Sequence, residues 1–450
     1  MTTLPIAKVA CVFSAFCFAA AIASPAQTFS DLFNFDGPDG AFPQSILVQG
    51  TDGNFYGTTS GGSGTVFRMS SAGTLTTLYS FCAQTNCPDG SQPYAGLVQG
   101  SDGNFYGTAA GGGTHNGGTV FKITPEGKLT TLYQFCSETD CKDGDQPYGA
   151  LIQGVSGNFF GTTSTGGANN QGTVFKLTPS GTLTTLYSFC AQTNCPDGSQ
   201  PYAGLVQGSD GNFYGTTYSG GGLQGIACVN DLIDGVAGCG TIFKVTPGGR
   251  LTTLHRFDGD GAHARGGLVQ GTNGNFYGTT TYGSSALGNT TTWGTVFEIT
   301  PLGALRTLFV FTGSRENGVS VATLIQATDD NFYGTTNFGG VHLNGTIFNI
   351  SAAGTLTTLH SFDGADGLMP SGPIVQATDG SFYGTTLWGG NLRCPYYGCG
   401  TIFHLSVGLG PFVSLVRSFG TVGRTAQILG QGFTGTTAVS FNGTAASFTV

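Results

Sequence analysis

Charge is scarce in this chain. Asp, Glu, Lys and Arg together make up 9 % of its 450 residues, where roughly a quarter is usual for a globular protein. The 15 basic residues form no stripe, and the formal net charge is −9. Nothing is therefore present to neutralise a phosphate backbone, which argues against nucleic acid as a partner. Long apolar runs are missing as well. The longest, Val9 to Ala21, spans about 13 residues, short of the ~20 that a membrane-spanning helix needs. No segment carries a helical apolar period. Six His are scattered without a His-Glu-x-x-His pattern, and no Gly-x-Ser-x-Gly elbow sits in a strand-turn-helix setting. Gly-rich loops such as Gly111 to Gly113 precede no helix whose dipole would bind phosphate. What is abundant is glycine, 78 residues without the every-third-residue spacing of collagen. Aromatics reach 12 %, with 35 Phe and 16 Tyr, too many for a disordered polymer. A folded, glycine-punctuated, all-β protein is left.

The first 26 residues read as a secretory signal peptide: Lys8, the apolar run, then Ala21-Ile22-Ala23 as a small-residue cleavage pattern, with the cut after Ala23 or Ala26. The mature chain is expected to be secreted or held at the cell surface, with no membrane span. Setting aside Cys11 and Cys17 of the leader, ten Cys remain in five close pairs: Cys82/Cys87, Cys136/Cys141, Cys190/Cys195, Cys228/Cys239 and Cys394/Cys399. Even number, short spacing and an oxidising compartment predict five disulfides, each worth roughly 2 kcal/mol in the chain-entropy picture. No pair has a second Cys or His pair at finger-like spacing, which argues against zinc.

Self-similarity is the strongest signal. Asn-Phe-Tyr-Gly or a close variant begins at Asn54, Asn104, Asn158, Asn212, Asn275, Asn331 and Ser381, giving seven units with spacings of 50, 54, 54, 63, 56 and 50 residues. Each is followed by Gly-Thr-Val/Ile-Phe. Thr74 to Thr108 recurs unchanged as Thr182 to Thr216, the mark of a duplicated two-unit block. Within one unit four β-rich runs stand out: A (Gly96 to Gln99), B (Asn104 to Thr108), C (Thr119 to Thr124) and D (Leu129 to Phe135). Ser101-Asp102-Gly103-Asn104 marks a tight A–B hairpin, and Thr124-Pro125-Glu126-Gly127 a C–D turn. Seven such units predict a seven-bladed β-propeller over residues 27–406. Thr28 to Phe35 matches the D pattern of Thr74 to Phe81, whereas the last unit supplies A, B and C and no D. The N-terminal strand is thus expected to complete the seventh blade and close the ring.

The string Gly-Leu-Val-Gln-Gly-Ser-Asp-Gly-Asn-Phe-Tyr-Gly-Thr, with Gly-Thr-Val-Phe-Lys-Ile-Thr-Pro and Leu-Thr-Thr-Leu-Tyr-Ser-Phe, closely resembles the GloVer (Gloeo/Verruco) tandem repeat of exported bacterial proteins, over about residues 28–406. The resemblance implies an extracellular or surface-attached protein and brings no activity with it. Residues 411–450, with Ile428-Leu429-Gly430-Gln431-Gly432-Phe433 and Ala438 to Gly443, resemble the first half of an IPT/TIG immunoglobulin-like domain; such a sandwich takes about twice that length.

Among the seven units the A–B and C–D turns stay short, whereas the B–C and D–A connections vary. Function is expected on the rim those variable loops share. Its aromatics, Tyr218, Tyr282, Trp293, Phe338, Trp388, Tyr396 and Tyr397, are the candidate ligand-binding residues, suited to stacking on a sugar or peptide, with gap filling between blades as the plainer role. The D–A loops carry Asp36, Asp39, Asp89, Asp143, Asp197, Asp258, Asp260, Asp363 and Asp366 beside glycines. Asp-Gly is above all a turn signal; Ca²⁺ binding and acid–base catalysis are the other uses weighed for these carboxylates. The resulting expectation is a non-catalytic module that binds a glycan or an extracellular protein and needs no cofactor. A secreted polysaccharide hydrolase or lyase and a structural envelope component are the alternatives.

Overall fold

The computed structural model describes residues 27–222, 238–283, 293–312, 319–321, 323–391, 393–394, 397–415, 428–430, 433, 436, 438–441, 444–447 and 449. The expected leader, residues 1–26, and Cys228 and Tyr396 fall outside this set. Seven antiparallel sheets carry the seven units, each built in the order A-B-C-D. In the second blade the strands are Val98–Gln99, Phe105–Ala109, Thr119–Ile123 and Leu129–Gln134. The inner strand is thus two residues long, shorter than the run read from sequence: it ends at Gln99 as expected, but Gly96 and Leu97 lie before the ladder begins.

Both hairpin turns follow from local chemistry. Gly103 adopts φ +81° and its N–H reaches Gly100 O at 3.0 Å, while Gly100 N–H donates to Asn104 O at 2.8 Å. Asp102 keeps a negative φ, so the turn is a type I reversal closed by a glycine bulge rather than the two-residue mirror turn that Asp-Gly alone suggests. In the sixth blade Asp330 takes the glycine place at φ +63°. That blade also gains a fifth strand, Val319–Val321, beside a longer B strand, Phe332–Phe338.

The N-terminal strand Thr28–Asn34, here β1, lies antiparallel along Thr401–Ser406, from Thr28↔Ser406 to Asn34↔Thr401, with an irregularity between Asp31 and Phe33. It is the missing D strand of blade seven.

Strand B is buried over all five residues in every blade, because neighbouring blades cover both its faces. Two belts of rings show how. The second aromatic of each B strand stacks on the first aromatic of the next: Tyr56–Phe105, Tyr106–Phe159, Phe160–Phe213, Tyr214–Phe276, Tyr277–Phe332, Tyr333–Phe382 and, across the seam, Tyr383–Phe55, at 3.9 to 4.3 Å. Farther out, the Phe ending each D strand meets the Phe of the next C strand edge-on, as in Phe81–Phe121 at 5.2 Å; Phe35–Phe67 at 5.5 Å closes that belt. The glycine of Asn-Phe-Tyr-Gly makes room for this C-strand ring: a Cβ on Gly107 would sit 2.6 Å from Phe121 Cζ.

Polar ties run parallel to the belts. Gln99 on the inner strand accepts the N–H of Thr51 in the preceding blade at 3.0 Å, and the same bond recurs from Ser101 to Gln153, Ser209 to Gln270, Thr272 to Gln326, Thr328 to Gln376 and, over the seam, Thr378 to Gln49. Charge is scarce because these surfaces face one another rather than water. Among the described residues no helix is long and apolar enough to cross a membrane; one 3₁₀ turn, Thr139–Cys141, lies inside a disulfide loop. Beyond Ser406, Phe412 N–H donates to Thr378 O at 3.0 Å, and two short ladders, Ser414–Leu415 with Ile428–Leu429 and Val439–Phe441 with Thr444–Ala446, make up the described tail.

Candidate binding site on the loop rim

In blades two to five and in blade seven an isolated bridge ties the D–A connection to the B–C loop of the blade it enters: Ser91↔Gly111, Asp145↔Thr165, Ser199↔Ser219, Ala262↔Tyr282 and Leu368↔Trp388. The two variable connections therefore share one rim, as their sequence variation suggests. Four disulfides stiffen it, Cys82–Cys87, Cys136–Cys141, Cys190–Cys195 and Cys394–Cys399. Cys239 is disulfide-bonded too.

Six of the D–A connections end in a kinked residue, the exception being that of blade six, where strand Val319–Val321 takes the place. Phe42, Gln92, Gln146, Gln200, His263 and Met369 all have φ between +55° and +60°, a conformation that costs a non-glycine residue about 1 kcal/mol or more. Hydrogen bonds hold it in place. Gln92 N–H donates to Ser63 O of the preceding blade at 2.8 Å, and its carbonyl accepts from Ala110 N–H at 3.1 Å. The kink fixes where the side chain two positions on emerges.

In blades two, three and four that side chain is a tyrosine, from the triplets Gln92-Pro93-Tyr94, Gln146-Pro147-Tyr148 and Gln200-Pro201-Tyr202. In blade five the triplet is His263-Ala264-Arg265. The rings form a continuous arc: Tyr94–Tyr148 at 5.4 Å, Tyr148–Tyr202 at 5.5 Å, Tyr202–Tyr218 edge-on at 5.5 Å, Tyr218–His263 at 4.5 Å and His263–Tyr282 edge-on at 5.5 Å. The Arg265 guanidinium lies over two of them, 5.3 Å from the Tyr202 centroid and 5.4 Å from that of Tyr218. His263 is buried, and its Nδ1 lies 2.8 Å from Tyr218 O, which anchors the middle of the arc. Burial, then neighbouring Tyr94 and Tyr202, pushes the Tyr148 hydroxyl above its ordinary range. Beside Tyr148 opens a cleft of about 280 Å³ edged by Ser63, Ser91, Asn116 and Gln146. Flat rings next to amide and hydroxyl groups suit a ligand with apolar faces and hydroxyl edges.

Of the aromatics expected to bind ligand, Tyr218 and Tyr282 join this arc. Trp388 pairs with Tyr397 at 5.5 Å in blade seven, while Trp293 stands exposed on a loop of blade five and Phe338 at the exposed end of strand B in blade six. Tyr94, Tyr148, Tyr202 and Arg265 escaped the sequence reading. Their signal was there, a Tyr after Gln-Pro in three consecutive units, but it sits in short connections that look like turns.

The D–A carboxylates serve their own loops. Asp89 accepts the Tyr79 hydroxyl at 2.9 Å and Cys82 N–H at 3.0 Å; fully buried Asp143 does the same for Tyr133 and Ser137, and Asp197 for Tyr187 and Cys190. Where strand D carries His in place of Tyr, the pairs become His255–Asp260 at 2.8 Å and His360–Asp366 at 2.7 Å. Asp39 accepts Asp36 N–H, Asp363 accepts Ala365 N–H, and Asp36 also meets Arg393 at 3.2 Å. Asp258 N–H donates to Asp260. Among the described residues no three His, Cys, Asp or Glu side chains gather as a cation site.

Comparison with known proteins places these features in a family. The Gloeobacter/Verrucomicrobia repeat matches residues 19–143, 137–286 and 228–448. No curated protein matches in sequence. Among solved structures, virginiamycin B lyase from Staphylococcus aureus is similar with a TM-score of 0.55 at 14 % identity, over 85 % of this chain and 99 % of that one. The extracellular domain of a hybrid two-component system from B. thetaiotaomicron gives 0.52 at 12 % identity, over 84 % of this chain and 40 % of that one. At such identities the likeness concerns the propeller fold alone. With the repeat matched along nearly its whole length, the chain belongs to the Gloeobacter/Verrucomicrobia repeat family.

Proposed function

We propose that this protein is an exported, non-catalytic propeller that binds a glycan at the loop rim, outside the cell or on its surface. The observation that carries the reading is the arc from Tyr94 to Tyr282: half-buried rings at fixed spacing, presented by kinked connections and bordered by a polar cleft. Rigid aromatics of this kind give contact area at small entropic cost. The rim carboxylates support a binding role over hydrolysis, since most of them already hold the Tyr, His or N–H groups of their own loops. Export is supported by the leader pattern of residues 1–26 and by the loop disulfides, which persist in oxidising compartments. For residues 411–450 we keep the IPT/TIG-like reading, supported by the β texture of the short ladders there.

The test is a glycan array probed with the mature chain, followed by titration calorimetry on any hit. Tyr148→Ala and Tyr202→Ala are expected to weaken binding about tenfold each, in line with 1–3 kcal/mol for a lost stacking partner. Trp388→Ala, away from the arc, is expected to change it less than threefold. An array with no hit, or binding untouched by both Tyr substitutions, removes the proposal.

A further inference from the structure

The arc is not uniform: at its blade-five end a cation replaces the fourth tyrosine. We infer that this end is an anion subsite, and that the ligand class is an acidic oligosaccharide whose uronate carboxylate is held by Arg265. The inference rests on the glycan reading above and specifies it.

Three observations carry it. First, Arg265 stands where blades two to four place Tyr94, Tyr148 and Tyr202, so the same kinked connection that aims the rings aims the guanidinium. Second, its side chain is exposed, yet it forms no ion pair among the described residues, in a chain whose net charge is −9. Third, it is preorganised. The guanidinium is held over the Tyr202 and Tyr218 rings, its central carbon 5.3 and 5.4 Å from their centroids. A guanidinium carries its N–H donors as a planar fork that matches a carboxylate.

The surroundings narrow the ligand. A densely charged polyanion would be repelled by the acidic protein, whereas a saccharide offers neutral ring faces to the tyrosines and one carboxylate to the arginine. The arc also has a direction. Asp145 stands three positions before Tyr148 on the same connection. It makes that end unfavourable for an anion, so the carboxylate belongs at blade five and neutral sugar rings extend toward Tyr94.

The experiment titrates the mature chain with alginate- and pectin-derived uronate oligosaccharides, each against its carboxyl-reduced, uncharged counterpart. The wild type is expected to bind at least one acidic oligomer about tenfold or more tightly than its neutral partner, the range of a hydrogen bond to a charged group. Arg265→Tyr, which restores the pattern of the earlier blades, is expected to abolish that preference. Arg265→Lys is expected to recover part of it. Because Arg265 is exposed, melting temperature and circular dichroism confirm that the variants fold. Equal binding of acid and neutral oligomers by the wild type, or a preference that survives Arg265→Tyr, overturns the inference and leaves the glycan reading standing. Loss of all glycan binding, with an empty array, overturns both.

Discussion

At the scale of single residues, the repeat keeps a pairing rather than a residue. In the A–B turn Asp102 accepts the Tyr106 hydroxyl at 2.8 Å, the Asn104 amide at 2.7 Å and Asn104 N–H at 3.2 Å; Asp52, Asp210 and Asp329 do the same for Tyr56, Tyr214 and Tyr333. Where the turn carboxylate is absent, the change is compensated. Unit three has Ser156 with Phe160, losing carboxylate and hydroxyl together. Unit five has Asn273 in the turn, and the carboxylate moves to strand C as Glu298, which accepts Tyr277 at 2.9 Å and Asn275 at 2.8 Å and pairs with Arg306. A buried hydroxyl without an acceptor costs roughly 1–3 kcal/mol. Asp102→Ala is therefore expected to destabilise by about 2 kcal/mol, and Asp102→Ala with Tyr106→Phe by clearly less than the sum. Urea denaturation of the four-protein cycle measures the coupling; strict additivity contradicts the pairing. The Ser/Thr-Asp-Gly-Asn turn was legible as a hairpin, but the tyrosine's use of it was not, since a side-chain bond across four residues leaves no periodic trace.

At the scale of elements, the strand most open to perturbation is β1, because its partner Thr401–Ser406 is an edge without it. Asp31 on this strand has its carboxyl pushed up to about 6, first by partial loss of hydration, then by Asp366 and Asp363, with His360 pulling the other way. An unfolded Asp ionises near 4. Between about pH 4 and 6 the folded chain thus holds a proton that the unfolded chain has lost, and stability falls as pH rises through that window. Asp31→Asn is expected to raise the melting temperature at pH 7 and leave it unchanged at pH 3.5. Differential scanning fluorimetry at the two pH values decides, and an equal shift at both, or none, refutes it. That β1 is a D strand was readable from Thr28 to Phe35, because alternation and length repeat those of Thr74 to Phe81. Its bulge at Asp31 and its acidic neighbours were not, since Asp363 and Asp366 are more than three hundred residues away in sequence.

At the scale of the molecule, stability resides in the contacts between blades. Seven stacked pairs encircle the ring, and Tyr383–Phe55 at 4.2 Å is one of them although it joins the last unit to the first. In a closed ring the seam resembles any other joint. Tyr383→Ala and Tyr214→Ala, both removing a buried ring of such a pair, are expected to cost about 3–5 kcal/mol each and to agree within about 1 kcal/mol. Chemical denaturation of the two variants tests this. A much milder effect at Tyr383 would mean that the ring is held elsewhere.

Blade number, strand order and the closing strand were determined by the sequence itself, because each rests on local patterns repeated seven times: alternation, turn glycines and a displaced D motif. The site belongs to the tertiary structure. Tyr94, Tyr148, Tyr202 and Arg265 are 54, 54 and 63 positions apart, and each alone is one more residue after a turn. They become neighbours because a ring of blades brings equivalent positions of successive repeats together at one rim, where a kinked backbone aims them alike. Only that superposition shows which tyrosine the arginine replaces, and it does so because radial packing turns a separation along the chain into a contact across it.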